Sequence, residues 1–302
     1  MCPSLPPFYQ TIQLPLLQEK KVQMEIKRLD LMHPEVPGNK FYKLKYNLIE
    51  AKKKGHHTLL TFGGAYSNHI HATAHAARKE GFRAIGMIRG EIKYPLNPTL
   101  SQAQDKGMQL EPVSREDYRE KNTEKFISQL REKFGRFYLL PEGGTNHLAI
   151  KGCTEILSND DLQADLITVP IGTGGTFCGL LARGSVQQKV MGFSSLKGDF
   201  IFREIEQLLS AHQIRPQCEW EIINRYHFGG YAKYKPELIG FMSEFYHQTK
   251  IPLDPVYTSK MMFGLMDMIK NHHFPQDIKI LVLHTGGLQG IDGYTERYQL
   301  NL

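Results

Sequence analysis

The chain has 302 residues, of which 41% are hydrophobic and 23% are charged, and its formal net charge is +6. This composition is ordinary for a globular protein of about two domains, and no apolar stretch approaches the roughly 20 residues that a membrane-spanning helix needs. Because most basic residues alternate with acids along the chain, the positive charge predicts a site for small anions rather than a surface for nucleic acid.

The N-terminus and the cysteines predict a protein of the reducing cytoplasm. Residues 1–7 contain no basic segment followed by an apolar core, so no secretory signal is expected. The four cysteines are widely separated and include no CxxC pair, which argues against a zinc knuckle or a disulfide framework. They are Cys2, Cys153, Cys178 and Cys218.

Strands and helices are predicted to alternate along most of the chain. Strands are expected over residues 22–28, 58–62, 84–88, 137–142, 166–171, 190–193 and 280–285. Helices are expected over residues 42–54, 67–80, 98–106, 116–134, 147–157, 176–183, 200–212, 237–249 and 258–271, and residues 216–236 are expected to be irregular. The alternation predicts a doubly wound α/β fold with open, mostly parallel sheets flanked by helices.

Four of the predicted strands run directly into glycines. Short apolar runs that end in glycine are typical of strands buried on both faces of a parallel sheet. Ligands bind at the carboxyl ends of such strands, where glycine lets the backbone approach them closely. The repetition therefore predicts an enzyme-like protein whose ligand lies on glycine loops. These loops are Gly63-Gly64, Gly143-Gly144, Gly172-Thr173-Gly174-Gly175 and Gly286-Gly287.

The third glycine loop, Gly172 to Thr176, predicts an anion site. It joins a buried strand to a helix, so that free backbone N–H groups and the positive end of the helix face a ligand, most often a phosphate. No Gly-Lys-Ser/Thr follows, and Phe177 replaces the last glycine of G-x-G-x-x-G, so neither a Walker A loop nor a dinucleotide site is expected. A tight turn without a ligand is the alternative.

Lys40 and the segment Ser67-Asn68-His69 are further candidates for a site. Lys40 lies between a glycine loop and a helix start, where a lysine with a lowered pKa can form a Schiff base with a carbonyl cofactor. Taken alone, an ordinary surface lysine is the alternative. Ser67 can cap the helix that follows the first glycine pair, yet capping does not account for three polar residues that face a ligand crevice.

Three histidines, His69, His71 and His75, raise a metal site as an alternative. On a helix, His71 and His75 share a face while His69 points elsewhere, and no neighbouring carboxylate completes a set of ligands. We therefore predict no bound metal. A metal-dependent hydrolase built on these histidines is a remote alternative.

In their order and spacing, the motifs resemble those of pyridoxal-phosphate enzymes of fold type II. Over nearly the whole chain, they are most similar to the D-cysteine desulfhydrase / 1-aminocyclopropane-1-carboxylate deaminase family. The matching motifs are Gly38-Asn39-Lys40 with Lys43-Leu44, Ser67-Asn68 after a strand and glycines, Thr173-Gly174-Gly175-Thr176, Asp254-Pro255-Val256-Tyr257 and His284-Thr285-Gly286-Gly287.

This resemblance implies a two-domain fold like that of the tryptophan synthase β subunit. A smaller α/β domain, residues 43–151, would be inserted between two segments of the cofactor domain, residues 1–42 and 152–302. The crevice between the domains would close on the substrate.

The resemblance also implies how pyridoxal 5'-phosphate would be held. Lys40 would bind it as a Schiff base, Asn68 would hydrogen-bond the phenolic oxygen of its ring, and Thr258 would lie at its pyridine nitrogen. Lys43 would be a cationic helper at the phosphate. The phosphate itself would be bound by Thr173, Gly174, Gly175 and Thr176.

The same resemblance implies the catalytic and substrate-binding residues. Lys40 would remove the α-proton of the substrate, and the substrate carboxylate would be received by Ser67, Asn68 and His69. Tyr231 and Tyr257 resemble two active-site tyrosines of the family, which are candidates for proton transfer or contact with the leaving group. For each tyrosine, half-buried packing is the alternative. The predicted catalytic residues are Lys40, Ser67, Tyr231 and Tyr257.

Three positions depart from the pattern of the deaminase. It has Glu where this chain has Thr258, and a carboxylate there keeps the pyridine nitrogen protonated and the ring a strong electron sink. It also has Gln where this chain has His69, as the desulfhydrases do. Both changes favour β-elimination over the opening of a cyclopropane. Leu29 replaces an acid that the family usually has between Arg28 and Asp30, and no consequence follows from the sequence.

We therefore expect a pyridoxal-phosphate-dependent lyase or deaminase that acts on a small amino acid. D-cysteine is the best single substrate, with pyruvate, ammonia and sulfide as products. The first alternative is 1-aminocyclopropane-1-carboxylate deaminase, which yields 2-oxobutanoate and ammonia, and another is a non-catalytic protein that binds a phosphate-bearing ligand. A cytoplasmic homodimer with no nucleic-acid or membrane partner is expected.

Overall fold

The computed structural model describes residues 8–298 and consists of two sheets flanked by helices. The strands are β1 (Phe8–Ile12), β2 (Gln23–Arg28), β3 (Thr58–Gly63), β4 (Arg83–Arg89), β5 (Met108–Val113), β6 (Tyr138–Leu140), β7 (Leu166–Ile171), β8 (Lys189–Ser194), β9 (Glu219–Ile223) and β10 (Lys279–His284). The helices are α1 (Pro15–Glu19), α2 (Asn39–Lys53), α3 (Asn68–Glu80), α4 (Pro98–Asp105), α5 (Glu124–Phe134), α6 (His147–Thr154), α7 (Gly175–Arg183), α8 (Phe200–Ala211), α9 (Pro236–Thr249), α10 (Thr258–Lys270) and α11 (Gly290–Tyr298).

Both sheets are mostly or wholly parallel, as predicted. In the described part of the chain, one sheet has the strand order β1-β2-β10-β7-β8-β9, and only β1 runs antiparallel to its neighbour. The other has the order β5-β4-β3-β6 and is parallel throughout. The α/β fold with open, mostly parallel sheets is confirmed.

The strands that run into glycines are confirmed as β3, β6, β7 and β10. All residues of β3 and β7 are buried, which agrees with their continuous apolar sequences. Each strand is followed at its carboxyl end by the predicted glycine loop, and this edge is where parallel sheets bind ligands. The fold therefore brings the glycine loops to the ligand-binding edges of the two sheets.

Two predictions of local structure were wrong. Residues 116–134 do not form one helix: Asp117–Glu120 form a 3-10 turn, and α5 begins after Thr123, whose hydroxyl caps it by accepting a hydrogen bond from the Phe126 N–H. The segment 216–236, expected to be irregular, contains β9, which pairs with β8 at the sheet edge.

The sequence pattern did not predict β1, α1, β5 or α11. Of these, β1 is an edge strand whose residues are mostly exposed or half-buried, so its hydrophobic pattern is weak. Cys153, Cys178 and Cys218 are buried free thiols, whereas Cys2 and the remainder of the predicted N-terminal segment 1–7 lie outside the described residues.

Candidate active site

The glycine loops meet at one cavity of about 360 Å³. The loops that follow β3, β6, β7 and β10 line it through Gly64, Gly143, Gly172 and Thr285. Since two of these strands belong to each sheet, the cavity lies where the carboxyl ends of both sheets face each other. Ligand pockets typically have volumes of roughly 300–1,000 Å³, so this cavity is large enough for a small ligand.

The loop between β7 and α7 has the geometry of an anion site. Gly174 adopts φ +79°, a left-handed backbone conformation that favours glycine. The loop leads directly into the N-terminus of α7, where unpaired backbone N–H groups and the helix dipole favour a negative charge. Thr176 is held in the first turn of α7, where its hydroxyl accepts a hydrogen bond of 2.8 Å from the Asn39 side chain.

The ammonium group of Lys43 reaches the same loop from α2. It donates hydrogen bonds to the Gly143 carbonyl (2.9 Å), to the Thr145 hydroxyl (2.9 Å) and to the Thr173 hydroxyl (3.3 Å). The side chain is 2% exposed, and its burial lowers the pKa of the ammonium. In residues 8–298 all its hydrogen-bond partners are neutral oxygens. A buried cation of this kind is stabilised when an anion binds beside it.

Lys40 lines the cavity from the first turn of α2. Its amine donates a hydrogen bond of 3.1 Å to the side chain of Asn39. Burial and the nearby charge of Lys43 lower the pKa of Lys40 to about 7. A large fraction of this amine is therefore neutral near pH 7, and a neutral amine has the lone pair that a nucleophile or a base requires.

Gly38 determines where α2, the helix that carries Lys40, begins. It caps α2 with φ +70°, and a Cβ there would lie 2.0 Å from the carbonyl oxygen of Thr285. The Asn39 N–H donates a hydrogen bond of 3.3 Å to the same oxygen. The loop after β10 and the start of α2 are thus in direct backbone contact, which brings Lys40 to the cavity.

Ser67, Asn68 and His69 also line the cavity, at the start of α3. The Ser67 hydroxyl caps the helix as predicted, accepting hydrogen bonds of 3.2 and 3.3 Å from the N–H groups of His69 and Ile70. The Asn68 side-chain oxygen accepts a hydrogen bond from the amide of Gln289. The loop after β10 therefore contacts this segment as well as Lys40.

His69 is buried and neutral at the bottom of this segment. Its Nε2 lies 2.8 Å from the Thr61 hydroxyl. Burial, together with the charges of Lys40 and Lys43, holds the pKa of His69 well below its usual range. Its Nδ1 is buried and has no hydrogen-bond partner among residues 8–298. It remains available to a bound ligand.

Tyr231 and Tyr257 come together in the cavity although they are 26 residues apart in the sequence. Their ring centroids are 6.1 Å apart, and the two rings meet edge to face. Burial raises the pKa of both phenols, that of Tyr257 far above its usual range. Both hydroxyls therefore carry their protons at neutral pH and can act as donors.

Lys260 fixes the segment that carries Tyr231. Its ammonium donates hydrogen bonds to the carbonyls of His227 (2.9 Å) and Gly230 (2.7 Å), so it ties the segment before Tyr231 to α10. Burial lowers the pKa of Lys260 to about 8. The sequence analysis did not identify this residue, because its partners are backbone groups that leave no side-chain pattern.

Thr258 is buried at the start of α10, and its hydroxyl is bonded to Asp254. It donates a hydrogen bond of 2.7 Å to the Asp254 carboxylate and accepts one of 2.8 Å from the Asp254 N–H. The same carboxylate accepts from the N–H groups of Val256, Tyr257 and Thr258, so it caps the helix. The proton of the Thr258 hydroxyl is therefore already committed to a carboxylate.

The three histidines of the metal alternative do not converge. The Nε2 of His69 lies 2.8 Å from the Thr61 hydroxyl. The Nε2 of His71 lies 2.8 Å from the side-chain oxygen of Gln102, and the ring centroids of His71 and His75 are 4.3 Å apart. Among residues 8–298, no group of three or more His, Cys, Asp or Glu side chains could hold a metal ion. In the same part of the chain, no helix is long and apolar enough to cross a membrane.

Two charged residues of the cavity, Arg89 and Glu142, were missed by the sequence analysis. Arg89 is the last residue of β4, and Glu142 immediately precedes the second glycine pair. The position of Glu142 at the end of a glycine-terminated strand was a signal that could have identified it. Arg89 precedes a single glycine, Gly90, and so falls outside the pattern of glycine pairs that identified the other loops.

Comparisons with known proteins agree with this geometry. A family model described as pyridoxal-phosphate dependent enzyme matches residues 10–286. A candidate 1-aminocyclopropane-1-carboxylate deaminase of Thermotoga maritima is 33% identical over 289 residues, which are 90% of this chain and 91% of the relative. The mitochondrial bifunctional D-cysteine desulfhydrase/1-aminocyclopropane-1-carboxylate deaminase of Arabidopsis thaliana is 30% identical over 294 residues, covering 89% of this chain and 73% of the relative. The crystal structure of an ACC deaminase homologue superposes with a TM-score of 0.82 at 28% identity and covers 96% of this chain and 92% of the homologue.

Proposed function

Because the chain belongs to the pyridoxal-phosphate-dependent enzymes of fold type II, we propose that it is a lyase that eliminates the β-substituent of a small amino acid. D-cysteine is the substrate we propose, with pyruvate, ammonia and sulfide as products. The observation that supports this most directly is the buried Lys40 amine, whose pKa is lowered to about 7 in a cavity that it shares with two protonated tyrosines.

The residues of the cavity fit pyridoxal phosphate. The buried Lys43 ammonium has only neutral oxygens as partners within residues 8–298, and a phosphate would supply the missing negative charge. The Gly172–Thr176 loop at the N-terminus of α7 offers N–H donors to the same phosphate. When bound, the cofactor supplies an electron sink for the bond that breaks at the α-carbon.

The remaining steps are assigned to side chains of the chain itself. Lys40 binds the cofactor and removes the α-proton, since a large fraction of its amine is neutral near pH 7. Ser67, Asn68 and His69 bind the substrate carboxylate, and the hydrogen bond between His69 Nε2 and the Thr61 hydroxyl holds the imidazole in place. Tyr257, whose raised pKa keeps its hydroxyl protonated, donates a hydrogen bond to the departing thiolate.

A second candidate function is 1-aminocyclopropane-1-carboxylate deaminase, because the relatives named above carry that name. Thr258 favours elimination instead. The deaminase pattern has Glu at this position, and the Thr258 hydroxyl is bonded to Asp254 and brings no negative charge of its own. A weaker electron sink is sufficient when the leaving group removes the electrons.

Two measurements test the proposal. Borohydride reduction of the cofactor-loaded protein should fix the mass of the cofactor on the peptide that contains Lys40, and a protein that takes up no cofactor would refute the whole proposal. Sulfide release from D-cysteine should exceed release of 2-oxobutanoate from the cyclopropane substrate. The opposite order would favour the deaminase and refute the interpretation of Thr258.

We also propose that residues 43–151 form the smaller domain, because the four strands of the second sheet all lie between Thr58 and Leu140. The cofactor domain would comprise residues 1–42 and 152–302. A homodimer in the cytoplasm is proposed from the resemblance to the family. Light scattering of the purified protein, with twice the mass of the chain as the expected value, tests the homodimer.

A further inference from the structure

Arg89 is a cationic side chain of the cavity that the proposed reaction does not use. The last residue pairs of β3 and β4 are Phe62 with Met87 and Gly63 with Ile88, so Arg89 lies beside Gly64. One of its guanidinium nitrogens would be 3.8 Å from a Cβ on Gly64. Arg89 is thus at the edge of the loop that leads to the substrate-binding segment at Ser67.

Arg89 is not paired with a carboxylate within residues 8–298. Its guanidinium lies over the ring of Tyr118 in a cation–π contact, with the guanidinium carbon 5.7 Å from the ring centroid. A guanidinium carries five N–H donors in a planar arrangement that matches a carboxylate or a similar anion. The donors of Arg89 therefore remain open to an anionic group of a ligand.

The acid that shares the cavity does not cancel this charge. Glu142 accepts a hydrogen bond of 2.8 Å from the Tyr118 hydroxyl, and its other oxygen lies 3.3 Å from the Lys121 ammonium. The charge of Glu142 is thus balanced by Lys121. Arg89 forms no ion pair with Glu142 within residues 8–298.

A second hollow adjoins the cavity at Arg89 and is also basic. It has a volume of about 670 Å³ and is lined by Arg89, Lys93 and Arg115 against a single acid, Glu91. Arg89 lines both spaces. Arg89 therefore belongs to a group of basic side chains beside the cavity, and such a group attracts anionic ligands.

We propose that Arg89 selects amino acids whose β-substituent ends in a carboxylate or a comparable anionic group. This inference rests on the function proposed above, and D-cysteine would be the smallest substrate of the same chemistry. The Cα–H bond breaks and its proton passes to the Lys40 amine. The Cβ–S bond breaks, and its electron pair leaves with the thiolate of the substituent. Water then hydrolyses the released aminoacrylate to pyruvate and ammonia.

The test compares two substrates that have nearly the same shape and differ in charge. S-carboxymethylcysteine ends in a carboxylate, and S-carbamoylmethylcysteine ends in a neutral amide. For each enantiomer, kcat/KM is measured as pyruvate formation by the cofactor-loaded protein. The value of kcat/KM for the carboxylate should exceed that for the amide by about tenfold, which is the effect of one charge-assisted contact at a partly exposed site. Added salt should reduce the preference, because exposed charges are screened.

Three variants relate the preference to Arg89. Arg89→Ala should bring the ratio of kcat/KM for acid and amide to about 1, and Arg89→Lys should retain part of the preference because the charge remains. Arg83→Ala is the matched control, since Arg83 is an exposed residue at the opposite end of β4, and its ratio should equal that of the wild type. A wild-type ratio of 1 or less, or an unchanged ratio in Arg89→Ala, would overturn the inference.

A binding measurement separates the two proposals. Glutamate and glutamine have no β-leaving group and differ in charge at the end of the side chain. Calorimetric titration of both enantiomers into the cofactor-loaded protein should show tighter binding of glutamate, and Arg89→Ala should remove the difference. If neither cysteine derivative nor D-cysteine is turned over, the proposed function fails, and these dissociation constants alone decide the role of Arg89. Equal binding of the two ligands would then refute it.

Discussion

Lys260→Met is expected to destabilise the protein more in alkaline solution than at neutral pH. The variant removes both hydrogen bonds from the ammonium to the carbonyls of His227 and Gly230. Leaving a buried acceptor unsatisfied costs about 1–3 kcal/mol, so the loss is on the order of 2–6 kcal/mol for the two. The variant also no longer ties the segment before Tyr231 to α10.

The charge of Lys260 acts in the opposite direction. Its pKa falls from 10.5 to about 8 on folding, and each unit corresponds to about 1.4 kcal/mol, so the native protein bears a cost of about 3 kcal/mol below pH 8. Between these two values the unfolded chain binds more protons than the native one, and stability therefore rises with pH. In Lys260→Met this ammonium is absent, so the variant does not bear the cost of burying it and does not gain stability when it loses its proton.

The difference between wild type and variant should consequently widen by about 2 kcal/mol between pH 7 and about pH 9.5. The free energy of unfolding is measured in urea by the fluorescence of Trp220, the single tryptophan, which lies in β9 of the larger sheet. Lys270→Met, at an exposed position of the same helix, is the control and should show the same small difference at both pH values. A Lys260→Met difference that does not depend on pH would refute the assignment of a buried, costly charge.

Three further changes test the site. Gly38→Ala should lower the unfolding free energy by several kcal/mol, since its Cβ would lie 2.0 Å from a carbonyl oxygen. Gly55→Ala is the control, because Gly55 has a similar φ and nothing within 4 Å, and it should show only the left-handed backbone cost of about 1–2 kcal/mol. Equal losses in the two variants would contradict the close contact at Gly38. Lys43→Met should weaken the binding of pyridoxal phosphate about tenfold or more in equilibrium dialysis. Lys53→Met, at an exposed position of the same helix, is the control and should leave this binding unchanged. Unchanged binding in Lys43→Met would exclude Lys43 from the phosphate site. Tyr257→Phe should lower kcat for sulfide release from D-cysteine by about 10²-fold while KM changes little, and a wild-type kcat would show that another group stabilises the departing thiolate.

Much of the fold could be predicted from the sequence because its signals are local. An apolar run that ends in glycine is complete within seven to ten residues, and β3 and β7 occur where those runs predict them. The cap at Ser67 also depends on residues within one helical turn. By contrast, β1 obtains its partner from the sheet and has little pattern of its own, so it was missed.

The candidate site could be predicted only in part. Lys40, Ser67-Asn68-His69 and the Gly172–Thr176 loop stood out because each lies in a motif, and all three contribute to the cavity. The sequence did not show that Lys43 lacks an anionic partner or that Lys260 holds the segment before Tyr231. Such facts depend on carbonyls and hydroxyls from distant parts of the chain.

By itself, the sequence determined the class of the fold and the glycine loops, since propensity and periodicity act over short distances along the chain. Only the tertiary structure decided the protonation of Lys40 and the pairing of charges around Arg89. A pKa depends on burial and on charges within a few ångströms in space, and these neighbours come from segments that folding alone brings together.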